Sequence, residues 1–315
     1  MGKATRAAFG EALKKLGERM PEVVALDADL AGSTNTHLFA QQFPERFFQL
    51  GIAEGNMVSV AAGLALAGKI PFAASFACFL TGRFEQIRVS VAYNRANVKL
   101  VGTHAGVGIG EDGYSQMGLE DVALMRSLPN MLVLQPADAL EAEQAVEAAA
   151  RHVGPVYLRV TRQKLDDVHA SGYRFELGKL DPLRDGEQVT ILATGGVVAN
   201  ALAAAAELAK QGISAGVVNV HTLQPIDQEG LLALAARCRQ LVTVEDHGIV
   251  GGLGSAVCEA LAETTGVRIR RIAVRTFGES GTGEALYEKH GLHAAGIAAA
   301  VAEFVRSGAP SRASA

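Results

Sequence analysis

Tryptophan is absent from the 315 residues and aromatics make up only 5% of them, which argues against the stacked aromatic surfaces of carbohydrate-binding or antibody-like proteins. Cysteine is scarce as well. Cys78, Cys238 and Cys258 are odd in number and lack metal-ligand spacing, so no disulfide framework or structural zinc is expected. They read as small buried hydrophobes in a reducing compartment, with cytoplasm the expected location. Neither sign of charge dominates: a formal net charge of -4, with acidic and basic residues interspersed, gives no electrostatic reason to expect nucleic acid or an anionic membrane as partner. No apolar run reaches spanning length, and Met1-Gly2-Lys3-Ala4-Thr5-Arg6 opens an amphipathic helix instead of a signal sequence. What the chain does have is core: 49% hydrophobic residues over this length predict a globular protein of two domains.

Along the chain, helical and strand-like segments alternate. Helical spacing over Thr5 to about Arg19 precedes a strand at Val23–Asp27, and a helix from Glu54 to about Ala67 precedes a strand at Ile70–Ala74. A helix over Phe84–Ala92 follows, then apolar strands at Val98–Gly102 and Met131–Leu134 around a helix near Leu119–Arg126, and a last strand at Val156–Val160 closing the first domain. Continuous apolar strands separated by helices predict a mainly parallel sheet covered on both faces. Residues 164–187 are polar and turn-rich and read as a linker. A second α/β alternation follows, with strands at Val189–Ala193, Gly216–Val220 and Leu241–Val244 and helices over Val197–Lys210 and Gln228–Ala236. The domains are therefore expected at 1–163 and 188–315, with a frayed tail over 306–315.

The chain pivots on Glu54. Phe47-Phe48-Gln49-Leu50 reads as a short buried strand, after which Met57, Val58, Ala61 and Leu64 recur at helical spacing. A carboxylate at that handover lies at a helix N-terminus and close to the core; it is either a cap or a functional group. Gly51 and Gly55 flank it and leave room for a flat ligand. Gly108, Gly110 and Gly113 formally satisfy a G-x-G-x-x-G dinucleotide pattern, but Glu111 and Asp112 place two negative charges where a pyrophosphate would sit. That stretch, with His104 and Gln116, reads better as a polar loop aimed into a cleft. Gly251-Gly252-Leu253-Gly254-Ser255 before a helix reads equally as an anion cradle or as turn geometry.

Three words carry a family resemblance: Gly51-Ile52-Ala53-Glu54-Gly55-Asn56-Met57, then Ser75-Phe76-Ala77-Cys78-Phe79, then Gly108-Ile109-Gly110-Glu111-Asp112-Gly113. In this order and spacing they resemble the pyrimidine-binding half of transketolases, which are thiamine diphosphate enzymes. The resemblance runs from about Ala4 to about Phe304. It implies an α/β pyrimidine-binding domain followed by a transketolase C-terminal-like domain, and transfer of a two-carbon ketol unit from a ketose phosphate to an aldose phosphate.

The resemblance also implies roles. Glu54 matches the acid that hydrogen-bonds the cofactor's pyrimidine nitrogen, Phe76 and Phe79 match the wall packed on that ring, and Asp29 matches a position near the thiazolium. Arg6, Ser33, His104 and Arg162 match positions that hold the sugar's terminal phosphate, and Asp112 one near a secondary hydroxyl. His104 and Gln116 are candidates for hydrogen bonds or proton transfers during the reaction. Two departures stand out. Gly82 occupies a position where relatives often carry a further aromatic, and Gln116 one where many carry His, so the amide there orients substrate at most. The Gly-Asp-Gly word with its downstream Asn, through which transketolases bind the diphosphate and Mg²⁺, is not found. The expectation is a C-terminal subunit of a split transketolase, active in an α2β2 assembly with an N-terminal subunit that holds Mg²⁺. A 1-deoxyxylulose-5-phosphate synthase-like subunit, a 2-oxoacid dehydrogenase β subunit and a non-catalytic module retaining the fold are the alternatives. The phosphate-site set argues against the oxoacid enzyme, whose substrate carries no phosphate.

Overall fold

A computed structural model describes residues 2–307. The described residues form two sheets. The first contains β1 (Val23–Asp27), β2 (Phe47–Gln49), β3 (Ile70–Phe76), β4 (Lys99–Thr103), β5 (Leu132–Leu134), β6 (Val156–Arg159) and β10 (Thr222–Gln224) in the order β10-β5-β6-β4-β3-β1-β2. The second contains β7 (Asp181–Arg184), β8 (Val189–Ala193), β9 (Ala215–Asn219), β11 (Gln240–Gly248) and β12 (Arg268–Val274) in the order β12-β11-β8-β9-β7. Every pairing is parallel except those of β10 with β5 and β7 with β9. The α/β class read from the apolar strands, two mainly parallel sheets flanked by helices, is therefore what forms.

On one face of the first sheet, Phe9, Leu13 and Leu16 of the helix Thr5–Arg19 and Val146 of the helix Ala139–Arg151 pack onto Val23, Phe72, Val101 and Leu158. On the other face lie Met57 and Val58 of the helix Glu54–Leu66 and Ile87 and Val91 of the next helical segment. That same core runs on into Leu192, Val218, Leu223 and Leu241 of the second half. Removing a fully buried side chain such as Met57 would cost about 2–5 kcal/mol, and because its cluster is shared, that loss would be felt in both halves.

Four readings of the sequence need correction. Phe47–Gln49 is not a buried strand: it sits at the sheet edge with Phe48 37% exposed, because no further strand covers it among the described residues. Val156–Arg159 does not close the first domain; it is central, and the sheet takes its last strand, β10, from the second half of the chain. The polar stretch 164–187 contains β7, an edge strand whose alternating exposure leaves little apolar pattern to read. Cys78 and Cys258 are only half-buried, although all three cysteines are free. The helix expected over 84–92 starts as α-helix at Phe84–Gln86 and continues as a π-helix over Ile87–Tyr93. The helix Ala294–Ser307 ends the described chain, and the rest of the tail read as frayed lies outside it. No helix among the described residues is long and apolar enough to cross a membrane.

Candidate active site

The carboxyl ends of β1, β3, β4 and β6 are neighbours in the first sheet, which is where parallel α/β folds gather chemistry. From β3, the Ser75 hydroxyl donates to Glu54 Oε1 at 3.4 Å. Glu54 is the first residue of its helix and 4% exposed. It makes no side-chain cap, so the capping interpretation fails on geometry. Ser75 is its one polar partner among the described residues. One residue beyond Ser75, Phe76 stacks on Phe79 with centroids 5.4 Å apart and planes within 8°. Its other neighbour is the His104 ring, at 3.6 Å. A buried acid with unused acceptor capacity beside a flat aromatic wall suits a planar heterocycle carrying a protonatable nitrogen.

His104 follows β4 with φ of 54°, in the left-handed region. Asp29, two residues past β1, has φ of 65°. Each such residue costs on the order of 1–3 kcal/mol and is held there by its surroundings. For His104 these are Thr103 Oγ1 at 2.9 Å from Nδ1 and Arg6 Nη1 at 3.4 Å from Nε2. Burial first, then the charges of Arg6 and Arg162, pushes its pKa down to about 3, so the ring is neutral. Asp29 is exposed, and its backbone N–H donates to Gln49 Oε1 at 2.7 Å.

Arg6 Nη1 donates to the carbonyl oxygen of Ser33 at 2.6 Å, so the Ser33 main chain, and not its hydroxyl, makes this contact. Burial and the nearby Arg162 lower the Arg6 pKa, while Asp112 opposes them. Arg162 itself donates to Asp112 Oδ2 at 2.8 Å and lies 3.8 Å from Glu111. Arg6, Ser33, His104, Asp112 and Arg162 are thus brought together from four separate stretches of chain. Gln116 stands apart. It ends a 3₁₀ turn that packs on the helix Ala77–Thr81 through Cys78 Sγ and the Ser115 carbonyl, and its amide has no hydrogen bond among the described residues. Glycine at position 82 ends that helix, and a Cβ there would stand 3.0 Å from the Cys78 carbonyl.

Both glycine loops hold a side-chain carboxyl group of the protein's own. Backbone N–H groups of Val107 and Gly108 donate to the Asp246 carboxylate at 2.7 and 3.1 Å, and those of Leu253 and Gly254 to Glu245 at 2.6 and 2.8 Å. The G-x-G-x-x-G stretch opens no helix of the dinucleotide kind, only 3₁₀ turns at Val107–Ile109 and Tyr114–Gln116. Asp246 also accepts from Tyr287, and its carbonyl accepts from Arg159 at 3.1 Å. Arg159 in turn meets Asp121 at 2.7 Å, with both side chains buried. This network ties the second sheet to the loops of the first. Its sequence signal is the run Glu245-Asp246-His247 at the end of an apolar strand, which periodicity alone does not single out.

Residues 1–167 match the transketolase pyrimidine binding domain, and residues 178–297 the transketolase C-terminal domain. The chain belongs to the transketolase family. It is 44% identical over 300 residues to the 6-deoxy-6-sulfo-D-fructose transketolase subunit SqwH of Clostridium sp. (strain MSTE9), covering 95% of this chain and 93% of that one. Against human transketolase the identity is 38% over 302 residues, 95% of this chain but 48% of the human protein. Among solved structures, a split gene transketolase described as an inactive beta4 tetramer superposes with a TM-score of 0.89 at 46% identity, over 97% of this chain and 99% of that one. In transketolase terms, the Glu54 helix and the Phe76 wall lie in the pyrimidine-binding domain, while Asp246 belongs to the C-terminal domain and braces it against the first; Glu245 holds a loop of its own domain.

Proposed function

We propose that this chain supplies the pyrimidine side of a thiamine diphosphate site, and the recognition of the substrate's anionic end, in a two-chain transketolase. The reaction is transfer of a two-carbon ketol unit from a ketose phosphate to an aldose phosphate. The observation that carries this reading is the convergence of Arg6, His104 and Arg162 at the same strand ends as Glu54 and Phe76. An anion site next to a place for a planar ring fits a phosphorylated sugar held beside a cofactor, and it counts against a non-catalytic module.

Thiamine diphosphate, when bound, supplies the nucleophilic carbon and the electron sink for cleaving the donor's C2–C3 bond. The rest falls to the chain. Glu54 holds a proton at the pyrimidine ring nitrogen, in a pocket dry enough to strengthen that hydrogen bond. The Ser75 hydroxyl orients the carboxylate, and Phe76 with Phe79 fixes the ring plane and excludes water. By its match to the family pattern, Asp29 would face the thiazolium end. Arg6 and Arg162 grip the terminal anion, a geometry for which guanidinium is well suited. His104, being neutral, accepts or relays a hydrogen bond without adding charge. Asp112 serves a substrate hydroxyl and holds Arg162 in place, and Gln116 orients substrate as a neutral amide.

The diphosphate and Mg²⁺ belong to an N-terminal partner subunit in an α2β2 assembly. The likeness to SqwH keeps a sulfonated donor in view, because the same guanidinium pair grips a sulfonate. Purified alone, the chain is expected to bind thiamine diphosphate weakly and to turn over no ketose phosphate, and mixing with the partner subunit restores both. Micromolar cofactor affinity or turnover by the chain alone would overturn the split-site reading. Comparing phosphorylated with sulfonated donors in the assembled enzyme decides which anion is native.

A further inference from the structure

A second concentration of positive charge lies far along the chain, on the outer side of β12. A cleft of about 750 Å³ runs there, lined by Arg270, Arg271, Arg275, Lys289 and His290 with no acidic side chain among its lining residues. The protein as a whole carries a net charge of -4, so three permanent cations, Arg270, Arg275 and Lys289, and a histidine around one cleft run against the general balance. Like charges gathered this way repel one another unless an anion joins them.

The cations are poorly satisfied from within. Arg270 pairs with Glu303 at 2.9 Å and Lys289 with Glu279 at 2.6 Å, but both carboxylates are more than half exposed and are worth little as partners. Arg271, next to Arg270 on β12, lines the cleft but turns its guanidinium to the opposite face of the strand, where it donates to the Ile249 carbonyl at 3.3 Å. Arg275 is exposed and has no ion pair or hydrogen bond among the described residues. His290 Nε2 is buried at the cleft without a hydrogen-bond partner. β12 is the last strand of its sheet, so its outer backbone edge also faces the cleft. Ile272, Ala300 and Phe304 add an apolar wall, with the Arg268 guanidinium stacked over Phe304 at 4.5 Å.

We propose that this cleft of the C-terminal domain binds a small organic phosphate carrying two or more negative charges. Guanidinium forks pair bidentately with phosphate oxygens, the apolar wall accepts an organic body, and the volume lies in the range of small-molecule sites while exceeding what a bare ion fills. None of the lining residues belongs to the Arg6 and Arg162 cluster, so the inference does not depend on the proposed reaction.

The test uses the full chain, with ATP and inorganic pyrophosphate as probes in calorimetry and thermal-shift measurements. Arg275→Ala combined with Lys289→Ala changes only exposed side chains and should leave the ligand-free melting temperature unchanged. It should weaken probe binding at least about tenfold, as expected for losing charge-assisted hydrogen bonds, whereas Arg162→Ala should leave this binding in place. Should both probes bind with unchanged affinity to the double variant, or fail to bind at millimolar concentration, the proposal is wrong. Binding of an acidic peptide but of neither phosphate would also overturn it, by making the β12 edge a strand-docking site. If pyrophosphate binds as tightly as ATP, the apolar wall has no part and the claim of an organic ligand fails.

Discussion

Arg6 Nη1 lies 3.4 Å from Nε2 of His104, although the two residues are 98 positions apart. Because guanidinium can only donate, Nε2 accepts and the ring proton sits on Nδ1, directed at Thr103 Oγ1; that hydroxyl in turn donates to the Ser75 carbonyl at 3.3 Å. One tautomer is thereby selected, and the chain of bonds ends at the residue that also contacts Glu54. Since the His104 pKa is pushed down to about 3, its ring resonances should show no titration between pH 5 and 8 in an NMR series, roughly the range where an ordinary histidine titrates. The depressed pKa also means that the stability it contributes is complete above its ordinary value of 6.5 and is lost as pH falls toward 3. A His104 signal titrating near neutrality would disprove the assignment.

Glu54→Gln keeps shape and hydrogen-bonding capacity but loses the ionisable group. Turnover of the assembled enzyme should fall by roughly 10²–10⁴, the scale of acid–base contributions, with a nearly unchanged melting temperature. Unfolding at lower temperature with activity per folded molecule intact would instead assign Glu54 a structural part only.

Arg162→Ala separates substrate recognition from cofactor chemistry. KM for phosphorylated donors should rise by the equivalent of about 1.5–3 kcal/mol, the range for hydrogen bonds to a charged group. Cofactor affinity should hold, and hydroxypyruvate, which lacks the phosphate, should be affected much less. Equal losses with both donors would mean that Arg162 serves only to fix Asp112.

A pH-dependent brace joins the two halves at His169. Its Nδ1 lies 2.8 Å from Asp138, the N-cap of the helix Ala139–Arg151, and its Nε2 2.8 Å from Asp181 of β7. Burial alone would lower its pKa, but the hydrogen bonds to Asp138 and Asp181, with the charge of Glu141 close by, raise it to about 10. The stability this contributes is therefore fully present below 6.5 and declines as pH rises toward 10. Burial also lifts the Glu141 carboxyl to about 7, which adds to the decline as that group ionises. Urea melts between pH 6 and 10 should show stability falling with pH, and His169→Gln should remove part of the slope and cost about 3–5 kcal/mol, as for breaking a buried ion pair. A flat profile in the unmodified chain would rule the brace out.

Much of this was legible in the residues. Continuous apolar runs such as Val98–Gly102 and Val189–Ala193 specify strands buried on both faces, and helical spacing after Glu54 specifies the helix that starts there. The three short words around Glu54, Phe76 and Asp112 were enough to reach the family. Periodicity, however, reports only what is local. That Thr222–Gln224 crosses over to complete the first sheet, and that the polar stretch near Asp181 yields an edge strand, depends on pairing between distant backbones that no local pattern encodes. The same holds for the glycine loops. Which carboxyl group fills a nest of backbone N–H groups was decided by where β11 delivers Glu245 and Asp246: Glu245 meets the loop that follows its own strand, and Asp246 reaches the loop at Val107 and Gly108 through packing of the second sheet against the first. Residue types and their order set the elements and the chemistry available; only the tertiary structure brought Arg6, His104 and Arg162 to one place, because charge interacts through space and not along the chain.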